Sequence, residues 1–592
     1  MKYSIITLLI SLLTLSGFGQ TSSAVGQGTG LLNTVPQEKV FVHTNQSLVF
    51  SGEYLMYKIF CLDSQQRKLT HISKIGYVSL VDKNGKAVFT HKVRLENGAG
   101  YGDFFVPTSI STGSYKLLGY SQWMENFGTQ AFFQSNIHII NPYQPIPEAH
   151  LAQIPDSLQQ PEAAISNPSS GVNGNTNTRQ DGLVQIKLDK TELGVRQPLS
   201  LEIITGDDAE KNGNYVLSVR KVDHVSEPEK MSTSEFMKRY MNHGGTPVKN
   251  GSASLELPEI RGEVISGTVT HKATGQPAKD VRVSLSLPGN DYLFKVARSN
   301  AQGAFRFLFN REYDNVSAAL QVLSDNWEDY DIVMDEAATE FSNVEVTEFI
   351  VPEGMQDFIL QKSIQNQIEN GYREVKSDAL IPAEHQLPYY RKFSVNYNLD
   401  DYTRFNSIQE TIVEVVDQMS VRKLENGDRV FEIRPEEGFT DLGLLPMVFV
   451  DGLFIKKHED FMDFSAKKIK SIHFSRNKVI LGPQIFQGVL NFKTVDGNFY
   501  NEFYTPHIVN LDLFKPQPQK EHFNQTYNSN NLQERVPDFR NQLLWEPNLD
   551  LSSGSKEIVL YTSDVTGEYE LILEGFSSIG NPVSVKRRFL VK

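Results

Sequence analysis

The chain has 592 residues, of which 39% are hydrophobic and 22% are charged. This apolar content excludes a wholly disordered chain, and at about 150 residues per domain the length predicts several domains. The formal net charge of -14 disfavours nucleic acid as a partner, because phosphates attract basic surfaces. Cys61 is the single cysteine, so the chain can form neither an internal disulfide nor a cysteine-cage zinc site.

Residues 1–20 have the pattern of a secretory signal peptide. Lys2 precedes an apolar run over 5–15, and small residues follow it. The run is shorter than the roughly 20 residues that a bilayer requires, and no cysteine nearby could carry a lipid anchor. We therefore expect an exported protein without a transmembrane helix, placed in the periplasm or at the cell surface.

The next part of the chain predicts two β-sandwiches joined by a linker. Apolar and polar residues alternate through 38–142, with turn signals at roughly ten-residue spacing, which is typical of a sandwich. Pro, Gln, Ser, Asn and Gly then dominate 143–182, which indicates a flexible linker. A second sandwich is expected over 183–258, where the apolar alternation resumes.

A third sandwich and a helical connector follow. Period-two runs separated by glycine turns predict the sandwich over 259–350. Apolar residues then recur at every fourth position, which predicts a helix over 355–370 that ends at Gly371. We assign 351–400 to this connector.

The region 401–500 is predicted to be a mixed α/β domain. Ser407 and Glu410 have the spacing of a capping box at the start of a helix. Short strands are expected after it, at 429–433, 447–450, 469–474 and 489–492. The remaining residues, 501–592, begin with a polar loop and end in strands, which predicts a C-terminal β-domain.

Two of the sandwiches resemble known modules. Residues 39–44 (KVFVHT) and 51–53 (SGE) resemble the opening of the macroglobulin domain of exported bacterial proteins. Residues 262–269 (GEVISGTV), with turns at 275–277 and 300–303, resemble the carboxypeptidase regulatory-like domain, an accessory sandwich without peptidase chemistry. By the first resemblance, 183–258 would be a second macroglobulin-like sandwich.

The mixed domain resembles the plug of TonB-dependent outer-membrane receptors. The similar segments are 446–452 (PMVFVDG), 468–472 (KIKSI) and 488–494 (GVLNFKT). The order of modules resembles exported multidomain proteins of Bacteroidetes-type bacteria. The implied fold class is mainly β, with serial macroglobulin- or immunoglobulin-like sandwiches and one small α/β plug-like domain.

Two departures from these families limit the expected function. Only 92 residues (592 minus 500) follow the plug-like domain, too few for the barrel of a transporter, which needs several hundred. A thioester trap needs a cysteine next to a Gly-Glu-Gln sequence, and Cys61 has other neighbours. We expect neither a transporter nor a thioester macroglobulin.

The sequence lacks the common motifs of hydrolases and of phosphate- or zinc-binding proteins. No His-Glu-x-x-His, Gly-x-Ser-x-Gly or phosphate-binding glycine loop occurs. His458 lies in a His-Glu-Asp sequence, which an exposed helix start explains better than a metal site does. Cys61 lies in an apolar strand pattern, which predicts an inert buried thiol. We therefore predict no catalytic residue, no cofactor and no metal.

Four residues are candidates for binding a partner. Asp451 and Gly452 join two apolar runs; a hairpin turn is the simpler interpretation, and a contact to a partner strand or an ion is the alternative. Trp123 and Phe127 could form an exposed aromatic patch, but packing at the end of the sandwich explains them more often.

The leading functional hypothesis is a non-catalytic exported scaffold associated with the outer membrane. Its plug-like domain would recognise a membrane protein, such as part of a transport or secretion complex. The alternative is a macroglobulin-like protease-binding or inhibitor protein without a thioester, with 143–182 as the segment that a protease would cut. An enzyme with a site assembled from distant loops is a third possibility.

Overall fold

The computed structural model describes residues 37–146, 150, 184–223, 228–241, 256–313, 316–336, 338–351, 354–382, 387–528 and 536–592. The predicted signal peptide and most of the predicted linker lie outside these residues. The described chain is mainly β, with β-sandwiches and one mixed α/β domain, which confirms the predicted fold class.

Sandwich 1 lies within the predicted range 38–142. Its apolar faces meet in a core around Phe41, Phe60 and Leu117, none of which is exposed. One sheet consists of Glu38–Thr44, Tyr54–Asp63, Lys68–Leu69 and Ala99–Phe105. The other consists of Leu48–Phe50, Ile75–Val81, Ala87–Arg94, Gly113–Tyr120 and Phe133–Ile140.

Sandwich 2 is built from two distant parts of the chain. The strands of its first sheet are Val184–Leu188, Pro198–Thr205 and Ser555–Tyr561. The strands of its second sheet are Glu192–Leu193, Asn214–Lys221, Gln542–Leu549, Gly567–Phe576 and Pro582–Val591. Each sheet therefore contains strands from residues 184–221 and strands from residues 542–591.

This pairing corrects the predicted division into a sandwich at 183–258 and a separate domain at 501–592. Strand Asn214–Lys221 pairs on one side with Gln542–Leu549 and on the other with Gly567–Phe576. Residues 222–541, 320 in number, are thus inserted between neighbouring strands of one sheet. Alternation along the chain shows which face of a strand is buried, but it does not show which strand lies beside it.

The strands of sandwich 3 begin at Glu263 and end at Met334, with one more borrowed from later in the chain, whereas Phe341 and Phe349 near the end of the predicted range 259–350 pack on sandwich 1. The strands of one sheet are Glu263–His271, Ala304–Phe309 and Tyr330–Met334. The strands of the other are Arg282–Leu287, Leu293–Arg298, Ser317–Val322 and Val509–Asp512. The last of these arrives from beyond the mixed domain and pairs antiparallel with Ser317–Val322.

Two helices lie between the sandwiches. Helix Gln356–Gly371 confirms the helix that the period of four predicts in the connector. Helix Thr233–Tyr240 was not predicted; the Ser232 side chain accepts a hydrogen bond from the Glu235 backbone in a capping box at its start. Its Phe236 ring packs on rings from both sandwich 1 and sandwich 2, so the helix holds these two sandwiches together.

The mixed domain has helices Ile408–Val415, Glu459–Met462 and Phe499–Glu502. The strands of its central sheet are Val395–Asn398, Met447–Val450, Leu453–Phe454, Ile469–Leu481 and Gln484–Thr494. A separate hairpin joins Met419–Lys423 and Arg429–Ile433. The Ser407 hydroxyl accepts from Glu410 N, as the capping pattern predicts.

The segment from 505 to 528 returns along the other modules. Besides its strand in sandwich 3, it forms a two-stranded ribbon in which Lys520–Glu521 pairs with Ala379–Leu380 of the connector. Gln517 N donates to the Lys92 carbonyl, which attaches the segment to sandwich 1 as well. The described 310 helices are Gln122–Phe127, Thr129–Ala131, Trp327–Asp329, Arg373–Lys376, Leu399–Asp401 and Ala466–Lys468.

Candidate functional site

Asp451 and Gly452 form the two-residue turn between strands Met447–Val450 and Leu453–Phe454. Their φ angles are +46° and +85°, a pair of positive values that hairpin turns of this length require. The pairing of Val450 with Leu453 closes the turn. The hairpin interpretation of this Asp-Gly pair is therefore correct.

The Asp451 side chain is used inside the mixed domain. Its carboxylate accepts hydrogen bonds from Thr494 N at 2.9 Å and from Phe499 N at 3.2 Å. The Thr494 hydroxyl donates to the same carboxylate. With three donors around a nearly buried group, this acid fixes the turn and the start of helix Phe499–Glu502.

Gly452 lies against sandwich 3. A Cβ atom built on it would lie 2.1 Å from Tyr292 Cβ, a distance that no side chain tolerates. Next to it, Gly289 N donates to the Asp451 carbonyl at 2.8 Å. The turn thus contacts sandwich 3 within the same chain, whereas the alternative interpretation was a contact to a partner strand.

A cavity of about 410 Å³ opens beside this turn. It lies between sandwich 3 and the mixed domain and has both polar and aromatic walls. The buried Tyr292 hydroxyl and Asn491 Oδ1 make no hydrogen bond within the described residues. The lining of the cavity includes Tyr292, Tyr390, Phe393, Asn491 and Lys493.

Trp123 and Phe127 do not form an exposed patch, which corrects the prediction that they could bind a partner. Their side chains are buried and meet edge to face with ring centroids 6.0 Å apart. Helix Gln122–Phe127 turns both rings inward, and the backbone at Glu256 covers this end, bonded to the Asn126 amide at 2.8 and 3.0 Å. Packing at the sandwich end is the correct interpretation.

His458 and Cys61, whose side chains could in principle bind a metal or act as a nucleophile, are also buried. His458 precedes helix Glu459–Met462, as predicted, but its ring is enclosed and Nδ1 accepts from Phe431 N at 3.1 Å. Burial lowers the pKa of His458 to about 4, so the ring is neutral at pH 7. Cys61 lies in the core of sandwich 1, and burial raises the pKa of its thiol, which makes it a poor nucleophile.

The long hairpin of the mixed domain carries an exposed apolar pair that the sequence analysis did not single out. Ile480 and Ile485 face each other across strands Ile469–Leu481 and Gln484–Thr494. Their exposed fractions are 72% and 46%. The consecutive apolar residues Val479, Ile480 and Leu481 could have indicated the pair, because successive side chains of a strand point to opposite faces and only one face packs on the rest of the chain.

One group of side chains brings together three potential metal ligands in the part of the chain that the structure describes. It consists of Asp103, Asp378 and His522, whose ligand atoms all lie within 4.8 Å of one another. These residues are 275 and 144 positions apart (378 minus 103 and 522 minus 378), so no local spacing predicts them.

Comparison with known proteins gives distant similarities only. No protein-family model and no curated protein matches the sequence. Similar solved structures include α2-macroglobulin from Salmonella reacted with methylamine, at 8% identity and a TM-score of 0.22 over 94% of this chain and 39% of that one. Trypsin-activated α2-macroglobulin from Escherichia coli matches at 10% identity and a TM-score of 0.23, over 96% of this chain and 42% of that one. The chain spans less than half the length of these structures, and at such values the similarity does not assign it to their family.

No helix within the described ranges combines the length and the apolar character needed to cross a membrane.

Proposed function

We propose that the chain is a non-catalytic binding scaffold of the bacterial cell envelope, with the mixed domain as its recognition element. The observation that carries this proposal is the exposed Ile480–Ile485 pair on the long hairpin. Contiguous apolar surface that remains open to water marks protein interaction sites, and these two side chains are neighbours across the strands. Export and an outer-membrane partner belong to the proposal and depend on the pattern of residues 1–20 and on the plug resemblance.

The way this hairpin is held supports a role in recognition. Its opposite face, with Val479, Leu481 and Phe486, packs into the apolar cluster shared with sandwich 3. Near the tip, Arg282 Nη1 donates to Gln484 Oε1 at 3.0 Å. A hairpin fixed on one face presents its other face in a single geometry, so binding costs little conformational entropy.

The junction below the hairpin is equally well fixed. Gln321 Nε2 donates to the Phe454 carbonyl at 2.8 Å, and Phe454 N donates to Ser286 Oγ at 3.2 Å. Both bonds are buried between sandwich 3 and the mixed domain. The two modules therefore present the exposed pair as one rigid unit.

The test is recovery of a membrane protein from solubilised outer membranes of the source bacterium. The wild type should retain a defined outer-membrane protein, and Ile480→Asp combined with Ile485→Asp should lose it. Ile579→Asp is the matched control, because this side chain is 62% exposed but lies in sandwich 2. Equal recovery by the double variant and the wild type would refute the hairpin as the recognition element.

A protease-binding function is the second candidate, and the anchoring of residues 151–183 favours it. On one side, His150 Nδ1 lies 2.9 Å from the Phe349 carbonyl, and Val351 N donates to the His150 carbonyl at 2.7 Å. On the other, Val184 begins a strand paired with Pro198–Thr205. A cut between these anchors would leave both new ends attached to the fold, as a trap requires.

Incubation with trypsin and elastase separates the two proposals. These are the proteases named for E. coli α2-macroglobulin structures, one trypsin-activated and one activated by porcine elastase. A protease-binding protein would be cut within 151–183 and would co-elute with the protease in gel filtration. Cleavage there without co-elution would exclude this candidate and leave the scaffold proposal standing.

A further inference from the structure

Three separate segments meet at Asp103, Asp378 and His522. Asp103 lies on strand Ala99–Phe105 of sandwich 1. Asp378 comes directly before strand Ala379–Leu380, and His522 comes directly after Lys520–Glu521. These two short strands pair antiparallel with Ala379 opposite Glu521, so the ribbon places Asp378 and His522 at the same end.

The distances suit a tetrahedral metal ion. His522 Nδ1 lies 3.4 Å from Asp378 Oδ2. Zinc bonds of about 2.0–2.1 Å in a tetrahedron place neighbouring ligand atoms about 3.3–3.5 Å apart. The ligand oxygen of Asp103 lies within 4.8 Å of both atoms, and its side chain would have to rotate to act as the third ligand.

The His522 ring is a second observation that points to a ligand. Its side chain is 4% exposed, and within the described residues neither ring nitrogen makes a well-aligned hydrogen bond; Nδ1 faces only the Asp378 carboxylate, and Nε2 faces no polar group. A buried polar group without a partner is costly, and each instance in a folded protein calls for a physical explanation. A metal ion bound to one of the nitrogens supplies the missing partner.

The other polar contacts of the group determine which oxygens a cation can reach. Asp378 Oδ1 accepts from Phe523 N at 2.9 Å, while Oδ2 is the oxygen that faces the imidazole. Lys520 Nζ lies 2.9 and 2.7 Å from the two oxygens of Asp103. The ammonium therefore competes with a cation for Asp103 and has to leave when the ion binds.

We propose that Asp103, Asp378 and His522 form a divalent transition-metal site, with Zn²⁺ as its preferred ion. One imidazole and two carboxylates fit zinc, whereas Ca²⁺ and Mg²⁺ prefer sites built of oxygen alone. Two carboxylates balance the charge of the ion, and the fourth position is open to water. The ion connects sandwich 1, the connector and the segment after the mixed domain, and it acts independently of the envelope partner.

Isothermal titration of the EDTA-treated full-length protein with ZnCl₂ tests the site. We expect one ion per chain, and Asp378→Asn and His522→Gln should each weaken binding by at least about 100-fold, since even losing a residue that supports a ligand costs about 10–100-fold. His473→Gln is the matched control, because its ring is hydrogen-bonded to Ser471 and Asn396 within the mixed domain. CaCl₂ and MgCl₂ should give no comparable binding.

Two further measurements keep the result decisive if a ligand variant fails to fold. Lys520→Met removes the competing ammonium from Asp103 and should make zinc bind more tightly than in the wild type. Cobalt added to the wild type should give the intense visible bands of a tetrahedral site. A wild type without stoichiometric zinc, Asp378→Asn or His522→Gln with unchanged affinity, Lys520→Met without tighter binding, or octahedral cobalt bands would each overturn the proposal.

Discussion

Replacement of Lys362 by methionine removes the ammonium from a buried ion cluster that joins helix Gln356–Gly371 to sandwiches 1 and 2. The Nζ atom lies 3.1 Å from Asp223 Oδ2 and 3.6 Å from Glu53 Oε1. Arg220 completes the cluster: its Nη1 lies 3.6 Å from Asp223 Oδ2, and its Nη2 lies 3.7 Å from Glu53 Oε2. The lysine side chain is 2% exposed, so water does not take the place of the lost charge.

The expected loss follows from the charges that stay behind. Methionine is similar in size, and the substitution therefore tests the charge more than the packing. Removal of one partner of a buried ion pair costs about 3–5 kcal/mol, because the other charge remains buried. Arg220 still compensates the carboxylates, which places the expectation near 3 kcal/mol. At about 2–4 °C per kcal/mol, Tm should fall by roughly 6–12 °C.

The loss should depend on pH in a defined direction. Burial alone would raise the pKa of Asp223, but the charges of Lys362 and Arg220 outweigh it and lower the pKa. A lowered native pKa means that this carboxylate stabilises the fold above its unfolded pKa and loses that effect as the pH falls through the native value. The Tm difference between wild type and Lys362→Met should be largest near pH 7 and shrink below about pH 4.

Differential scanning calorimetry from pH 7 to pH 3 measures both effects. Lys272→Met is the control, because this ammonium is 63% exposed and lies 3.8 Å from Asp331. Such a surface pair contributes about 0–1 kcal/mol. If Lys362→Met lowers Tm at pH 7 no more than the control does, the cluster does not hold the helix in place and the reasoning is refuted.

Two further substitutions and one chemical reaction test other parts of the structure. Gly452→Ala places a Cβ 2.1 Å from Tyr292 Cβ, whereas Gly482→Ala meets nothing within 4 Å at a similarly positive φ. In urea unfolding the first should therefore cost about 1–3 kcal/mol more than the second. Trp123→Ala should lower the free energy of unfolding by about 3–5 kcal/mol in the same assay, because the ring is buried. A loss below about 1 kcal/mol would mean that the ring is exposed. Cys61 should react with a thiol reagent at pH 8 only after unfolding, since burial raises its pKa; rapid reaction of the native protein would contradict this.

The features that the sequence predicted well depend on neighbouring residues. The stop at Gly371 matches the end of helix Gln356–Gly371, and the Ser407 cap lies directly before helix Ile408–Val415. Strand Arg429–Ile433 has the predicted bounds. Helix periodicity, caps and strand alternation are local properties, so a single sequence contains them.

The features that could not be predicted from the sequence depend on contacts between distant residues. The aromatic spacing of Trp123 and Phe127 is the same whether their rings face water or the backbone at Glu256. The Asp103 and His522 side chains meet only because the chain returns from the mixed domain to sandwich 1. Nothing in the residues around either position carries this information.

The insertion of 222–541 into sandwich 2 constrains how the molecule is assembled. Strand Asn214–Lys221 needs Gln542–Leu549 and Gly567–Phe576 on its two sides, so sandwich 2 is incomplete until the last part of the chain is available. Closing a loop of 320 residues costs entropy, but this cost grows only with the logarithm of loop length. Sandwich 3 and the mixed domain contain their own cores and shorten the effective loop once they fold. The contact of Phe41 with Phe576, which joins sandwich 1 to sandwich 2, therefore also requires the carboxyl-terminal part of the chain.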